Sequence, residues 1–330
     1  MGSSLLGSTD NWWRDIYYWL LERGYTLRPC YHPDWIPSWK GTKKLPSSCK
    51  DGLGPLTIAP IVDATRISDG TRIILKQGSK ALHPHEREIS TFLSSEELRN
   101  NPRNHSVPVL EILDPSEEHF LIVMPLLRSF WDPRFETIGE VVGYIRQLFE
   151  RTGMCYLPSM FVTASLSTFR DCKADNIVID AHPMYPNAWH PVATRENAAY
   201  TKSAVHVSRT AAPEPIKYYF IDLGIAVRFR STDSFTAPLI RSGDKSVPKY
   251  QPGVAHHDHF PTDVHLLGNT IKECFHICKM LNLQQLPISL TGLRDLGHGL
   301  LPTCIRARIS PFAHRGYHSF SPGSSSPSLS

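Results

Sequence analysis

Residues 169–180 read FRDCKADNIVID, and residues 217–224 read KYYFIDLG. In the first stretch, Asp171 and Asn176 lie five residues apart in a polar loop that leads into an apolar segment typical of a short strand. In the second stretch, Asp222 ends another apolar strand. Two such strands can place Asn176 and Asp222 close together at the same end of the strand pair. Their oxygen atoms therefore predict a site for Mg²⁺ with phosphate. Asp171 is left free to accept a proton.

The overall composition is that of an ordinary globular protein. The chain has 330 residues, of which 41% are hydrophobic and 20% are charged, so collagen-like, coiled-coil and wholly disordered proteins are excluded. Its length allows two domains, or one domain with two lobes. The net charge of +4 is small and the basic residues are dispersed, so we expect no nucleic-acid partner.

Two further features concern the compartment. The longest strongly apolar run, Phe120 to Leu127, has 8 residues, whereas a membrane-spanning helix needs about 20. The 7 cysteines are odd in number and scattered, which is typical of reduced thiols. We therefore expect a soluble intracellular protein, cytoplasmic or nuclear, without a membrane partner.

The beginning of the chain combines a helix, an aromatic arm and strands. Residues 10–23 have the pattern of an amphipathic helix, and residues 24–50, rich in Pro, Trp and Gly, predict an extended arm. Strands are predicted at 61–66 and 71–76, joined by a turn at 68–70 that contains Asp-Gly. The aromatic arm is a candidate partner surface, and it could equally pack on the C-terminal part.

Helices dominate the prediction further along the chain. The pattern predicts a helix at 84–99, strands at 107–113 and 119–125, and two more helices at 136–152 and 262–281.

Two segments lack a periodic pattern. Residues 181–215 contain several prolines and predict a long surface insertion. From residue 286 to residue 330 the pattern decays, and the Ser-rich end predicts a disordered tail.

The two opening motifs, taken with a strand that ends in Lys76, resemble the protein kinase family. In that family, Arg-Asp-x-Lys-x-x-Asn forms the catalytic loop, matched here by residues 170–176, and Asp-x-Gly binds metal, matched by residues 222–224. Residues 73–76 look like the strand whose lysine anchors ATP, and residues 85–89 look like the helix that supplies its glutamate. The wording of these motifs also resembles a fungal group of kinase-like proteins.

The resemblance implies an α+β fold of the bilobal protein kinase type, with a small β-rich N-lobe and a mainly helical C-lobe that could be incomplete. The implied division of the chain is an N-terminal helix and aromatic, Pro-rich arm at 1–50, an N-lobe at 51–127, a C-lobe at 128–285 that contains the insertion, and an irregular tail at 286–330.

The resemblance also implies how ATP and metal would be held. Lys76 and Glu88 would fix the α- and β-phosphates, and Asn176 and Asp222 would hold Mg²⁺. Glu88 is preferred over Glu86 because Phe92, four residues after Glu88, could join an apolar stack on the same helix face.

The reaction implied by the resemblance is ATP-dependent phosphorylation of a protein hydroxyl. Asp171 would orient and deprotonate that hydroxyl, while Lys173 stabilises the γ-phosphoryl group. In the family, a lysine at this position is typical of Ser/Thr kinases. We therefore expect a Ser/Thr-type protein kinase whose partners are ATP and a protein substrate.

Several residues depart from the family pattern. No Gly-x-Gly-x-x-Gly loop precedes Lys76, and Ile74 stands where the family has a small residue against the adenine. Ala64 on the neighbouring strand could restore some of that room, and we expect Asp63 to be a surface strand residue. Lys249 reverses the charge of a glutamate in the family. These departures support an alternative, a catalytically weak or inactive pseudokinase that acts as a binding or scaffold module.

The sequence gives weaker support to two other interpretations, a different class of enzyme and a zinc site. A small-molecule phosphotransferase of similar fold shares the Asp-x-x-x-x-Asn spacing, but Lys173 argues against it. The histidines within residues 256–259 are too closely spaced for a structural zinc site and predict a solvated loop.

Overall fold

The computed structural model describes residues 8–52, 60–156, 165–168, 171–230, 236–238, 256–258 and 260–280, all within one unit that spans residues 1–283. These residues form a mixed α+β structure. The helices are α1 (Ser8–Asp15), α2 (Tyr17–Glu22), α3 (Glu86–Leu93), α4 (Glu96–Arg99), α5 (Ile138–Tyr156) and α6 (Phe260–Met280). The strands are β1 (Tyr25–Leu27), β2 (Ile61–Arg66), β3 (Arg72–Ser79), β4 (Glu111–Leu113), β5 (His119–Pro125), β6 (Arg128–Ser129), β7 (Ser165–Thr168), β8 (Ile177–Ile179), β9 (Tyr218–Phe220), β10 (Val227–Arg230), β11 (Thr236–Pro238) and β12 (His256–Asp258).

Five antiparallel strands form the largest sheet, in the order β1-β2-β3-β5-β4. The predicted hairpin of β2 and β3 is confirmed. The backbone N–H of Arg66 donates to the carbonyl of Thr71 at 2.8 Å, and Gly70 in the turn has a φ of +71°. Glycine adopts this conformation without steric cost. The predicted strand at 119–125 is confirmed as β5.

The strands of this sheet are apolar on both faces. Ile73 and Leu75 lie on one face, here called the outer face, in one buried cluster. Ile74 packs with Met124 on the opposite, inner face. Lys76 is two residues after Ile74, so it shares the inner face, because side chains alternate along a strand. A sheet with two apolar faces must be covered on both.

The N-terminal segment covers the outer face, and this differs from the predicted extended arm. Residues 25–27 form the edge strand β1, which pairs with β2. Trp13 and Tyr31 are buried in the outer-face cluster. The predicted helix at 10–23 is divided into α1 and α2 around Ile16. The aromatic arm therefore packs on the sheet.

The predicted helix at 84–99 is two short helices, α3 and α4. Ser94 and Ser95 lie between them, and serine disfavours a helix interior because its hydroxyl competes for backbone hydrogen bonds. The predicted strand at 107–113 is present only as β4. The predicted helices at 136–152 and 262–281 correspond to α5 and α6 with shifted ends.

The part from residue 128 onward contains the two predicted helices and also several short strands. Its described residues contain the helices α5 and α6 and seven short strands, β6 to β12. Strands β6, β8 and β9 form one sheet, and β7–β10 and β11–β12 form two-stranded sheets. A mainly helical C-terminal part is therefore not what the described residues show.

The predicted surface insertion at 181–215 is packed through several buried side chains. Arg128 on β6 donates to the carbonyl of Thr194 at 2.9 Å, and its guanidinium lies 5.1 Å from the ring centre of Trp189. The insertion is thus joined to the segment before α5. Its buried residues include Met184, Tyr185, Trp189, His190 and Arg209.

None of the described helices combines the length and the apolar character needed to cross a membrane. The predicted tail at 286–330 and Lys249 lie outside the described residues.

Candidate functional site

Lys76 is the centre of a group of three charged residues. It lies on β3, and its Nζ pairs with Oε1 of Glu86 in the first turn of α3. The same Nζ lies 2.8 Å from Oδ1 of Asp222, two residues after β9. The Glu86 side chain is 1% exposed, whereas that of Asp222 is 50% exposed. The group therefore has a buried end at Glu86 and an open end at Asp222.

The charges in this group stabilise one another. Burial favours a lower pKa for Lys76, but the carboxylates of Glu86 and Asp222 outweigh burial and raise it above its ordinary value. Burial favours a higher pKa for Asp222, but Lys76 and the backbone N–H of Gly224 outweigh it and lower the pKa. Both groups are charged at neutral pH, so the ammonium is held between two carboxylates.

The structure corrects the predicted choice of glutamate. Glu88 is 64% exposed and pairs with Arg228 at 3.1 Å, away from Lys76. Phe92, the reason for preferring Glu88, lies under the guanidinium of Arg228 at 3.8 Å. The signal for Glu86 was the buried stripe of α3, because Glu86 precedes the buried Ile89 by three residues.

Asp222 has a backbone conformation that is rare for a residue with a side chain. Its φ is +63°, a left-handed conformation that aspartate adopts more often than most residues and that recurs at active sites and ligand-binding turns. Its Oδ1 also accepts a long hydrogen bond from the N–H of Gly224 at 3.4 Å. The N–H of Ile221 donates to the carbonyl of Asn176 at 2.9 Å. The structure thus brings Asn176 and Asp222 to the same end of the β8–β9 pair.

The loop before β8 holds three predicted site residues together. Nδ2 of Asn176 donates to Oδ2 of Asp171 at 2.8 Å and to its backbone carbonyl at 3.0 Å. Nζ of Lys173 lies 3.0 Å from the same carboxylate oxygen. Asp171 is 9% exposed, and its Oδ1 has no hydrogen-bond partner among the described residues. Thr270 on α6 supports the loop by donating to the carbonyl of Cys172 at 3.3 Å.

Two oxygen atoms of the site suit a hard cation. Asn176 uses Nδ2 for both hydrogen bonds to Asp171. Within the described part of the chain, its Oδ1 accepts no hydrogen bond. Over the same residues, Oδ2 of Asp222 also has no hydrogen-bond donor. Carboxylate and amide oxygens are the ligands that Mg²⁺ prefers, so these donors fit the predicted ion. The described residues contain no group of three or more His, Cys, Asp and Glu that could hold a metal.

The inner face beside Lys76 differs from the prediction. Asp63 is 5% exposed, and Nε of Arg28 donates to it at 2.9 Å, so the expected surface residue is a buried one. Asp63 lies opposite Ile74 in the β2–β3 register, which places this ion pair beside Ile74. Ala64 belongs to the outer-face cluster and so makes no room there. The pairing of Arg28 with Asp63 could not be predicted from neighbouring residues, because the two residues are 35 positions apart.

The described chain thus places a cation between two carboxylates, and an acidic loop at the end of the neighbouring strand pair. The sequence matches no known protein-family model, and no curated protein matches it significantly. The function of the site must therefore be inferred from its residues and their geometry.

Proposed function

We propose that the chain binds ATP with Mg²⁺ and transfers the γ-phosphoryl group to a protein hydroxyl, as a kinase of the Ser/Thr type. The position of Lys76 carries this proposal. Its ammonium lies between Glu86 and Asp222, and Asn176 lies at the same strand end as Asp222. A fixed cation beside a half-exposed carboxylate suits a metal-bound triphosphate, since the cation can meet phosphate while the carboxylate meets the metal.

The bilobal protein kinase arrangement is part of this proposal. The five-stranded sheet and α3 would form the N-lobe, and α5, α6 and the β6-β8-β9 sheet would form the C-lobe. Lys76 and Glu86 come from the first group, whereas Asp171 and Asp222 come from the second. The contact of Thr270 with the loop of Asp171 supports a role for α6 in the same site.

Nucleotide binding would depend on Lys76 and the two metal ligands. Lys76 would contact the α- and β-phosphates, and Glu86 would keep its ammonium on the inner face. Oδ1 of Asn176 and Oδ2 of Asp222 would hold Mg²⁺, which when bound neutralises charge on the β- and γ-phosphates. A shift of α3 would withdraw Glu86 and leave Lys76 paired with Asp222 alone.

Transfer would depend on Asp171. Its Oδ2 is held by Asn176 and Lys173, so Oδ1, which is buried and has no partner among the described residues, would accept the proton of a substrate hydroxyl that displaces the groups covering it. The hydroxyl oxygen forms a bond to the γ-phosphorus as the bond to the departing ADP oxygen breaks. The Lys173 side chain is 42% exposed, which allows it to turn toward the transferring group.

A second candidate, a weak or inactive pseudokinase that serves as a binding or scaffold module, is favoured by the inner face. Arg28 and Asp63 form a buried ion pair beside Ile74, the residue that would face the adenine. The branched Ile74 reduces room for the base, and covering an ion pair with a base carries a desolvation cost. Nucleotide binding without transfer would favour this candidate.

Glu86→Gln is expected to weaken ATP binding about tenfold or more, because the variant removes a charged hydrogen-bond partner that holds Lys76. Glu88→Gln is the matched control, and its effect should stay within about twofold, since exposed ion pairs contribute little. Calorimetric titration with ATP and Mg²⁺ measures both. A larger loss for Glu88→Gln than for Glu86→Gln would contradict the assignment of Glu86.

The proposal is tested by thermal unfolding with ATP and Mg²⁺, together with transfer of labelled phosphate to a general protein substrate. We expect ATP with Mg²⁺ to raise the Tm of the unmodified chain and of the exposed-lysine variant Lys40→Ala, but not of Lys76→Ala. Labelled protein product would support the kinase, whereas a Tm increase without product would support the pseudokinase. No change in Tm would refute both candidates, and transfer to small alcohols alone would indicate a small-molecule phosphotransferase.

A further inference from the structure

His83 lies in the connection between β3 and α3, outside the residues assigned above. Its Nδ1 is 3.0 Å from the carbonyl oxygen of Gly224. Because a carbonyl oxygen only accepts, Nδ1 carries the proton and donates. A Cβ atom added at Gly224 would lie 3.0 Å from that nitrogen and 3.3 Å from Oδ1 of Asp222. The imidazole therefore packs closely against the turn that follows Asp222.

The backbone of His83 is fixed at both ends. Its N–H donates to the carbonyl of Ser79 at 2.9 Å, at the end of β3. Its carbonyl accepts from the N–H of Glu86 at 3.2 Å, at the start of α3. The ring reaches the turn of Asp222 from this anchored position. His83 thus bonds to the backbone of Glu86 and to the backbone of Gly224, two residues after Asp222.

Within the turn after Asp222, the N–H of Ala226 donates to the carbonyl of Leu223 at 3.0 Å, and Asp222 itself is bound to the turn by one long hydrogen bond. The φ of Asp222 is +63°, and the bond from the N–H of Gly224 to Oδ1 of Asp222 is long at 3.4 Å. A strained residue persists only where its surroundings restrict it. The hydrogen bond from His83 supplies a restriction from outside the turn, because it fixes the Gly224 carbonyl. The direction of the Asp222 carboxylate then depends on its ion pair with Lys76 and, through the turn, on the bond from His83.

We infer that His83 is a positioning residue that holds the Asp222 carboxylate in place for the Mg²⁺ accompanying ATP, an inference that rests on the proposed function. This role requires a hydrogen-bond donor at Nδ1, and it does not require a positive charge on the imidazole. The Nδ1–H is present in the imidazolium and in one neutral tautomer, so the bond survives in both charge states.

Two substitutions in the full chain test this role. His83→Ala removes the donor, whereas His83→Asn keeps one, because the amide nitrogen of Asn is as many bonds from the backbone as Nδ1 of His. ATP affinity is measured by calorimetry in excess EDTA and again in saturating Mg²⁺. His85→Ala is the matched control, because His85 is an exposed neighbour.

With Mg²⁺ present, we expect His83→Ala to bind ATP about tenfold more weakly than the unmodified chain, and His83→Asn to recover most of that affinity. In EDTA, both variants should bind ATP within about twofold of the unmodified chain, since Lys76 is retained. His85→Ala should match the unmodified chain in both conditions.

Three results would overturn the inference. An equal loss of affinity with and without Mg²⁺ would show a merely structural role, and unchanged affinity in both conditions would show no role. Failure of His83→Asn to recover affinity would exclude the donated hydrogen bond as the cause. If the unmodified chain binds no ATP in Mg²⁺, the proposed function fails together with this inference. If it binds ATP and His83→Ala binds equally well, only this inference fails.

Discussion

Asp171→Asn is expected to lower the rate of the proposed phosphoryl transfer by about 10²- to 10⁴-fold, because an amide cannot accept the proton of the substrate hydroxyl. The fold should be retained. The amide oxygen can replace Oδ2, which accepts from Asn176 at 2.8 Å and lies 3.0 Å from Nζ of Lys173. The amide NH₂ then takes the place of Oδ1, which has no partner among the described residues. Transfer of labelled phosphate gives the rate, and thermal unfolding checks the fold.

Asp175→Asn is the matched control for this prediction. Asp175 lies in the same loop but is exposed, so its substitution should leave the transfer rate within about twofold, as for most surface changes. Full activity in Asp171→Asn would remove Asp171 from the mechanism. Equal losses in the two variants would show that the effect comes from the charge of the loop and not from proton transfer.

Arg209→Ala is expected to destabilise the fold by about 3–5 kcal/mol, the usual cost of removing one partner from a buried ion pair. Nη1 of Arg209 lies 3.9 Å from Oε2 of Glu140, and the side chains of Arg209 and Glu140 are 4% and 1% exposed. Arg209 also donates to the carbonyls of Phe130 at 2.9 Å and Arg134 at 2.8 Å, and to the hydroxyl of Tyr218 at 3.0 Å. Its loss would leave these buried acceptors without their donor.

Urea unfolding measures this effect, and Arg103→Ala is the control. Arg103 is exposed, so its removal should change the free energy of unfolding by no more than about 0.5 kcal/mol. A change of similar size for Arg209→Ala would show that the insertion at 181–215 does not contribute to the stability of the sheet and helices it touches.

Local patterns in the sequence were sufficient to predict several secondary-structure elements. The β2–β3 hairpin and β5 follow from strand alternation and turn chemistry, which depend on neighbouring residues only. Asn176 and Asp222 were located by their position relative to short apolar strands, and Lys76 by the resemblance of its strand to that of protein kinases. The structure brings Lys76 together with Asp222, and Asn176 to the same strand end as Asp222.

The parts that could not be predicted depend on contacts between distant residues. Arg28 reaches Asp63 from the position directly after the edge strand β1, inside the predicted arm, so neither the burial of Asp63 nor the register of β1 could be predicted from neighbouring residues. The spacing of Glu86 to Ile89 favoured Glu86 and the spacing of Glu88 to Phe92 favoured Glu88, so the packing of α3 was needed to decide between them. No sequence motif pointed to His83, because its hydrogen-bond partner is a backbone carbonyl 141 positions away.

The most direct measurement is an experimental structure of the full chain with a non-hydrolysable ATP analogue and Mg²⁺. We expect Nζ of Lys76 to contact the α- and β-phosphates, with the metal bound by Asn176 and Asp222. The γ-phosphate should lie within reach of Lys173 and Asp171. A nucleotide bound elsewhere, or one whose phosphates contact neither Lys76 nor a metal on Asp222, would contradict the proposed function.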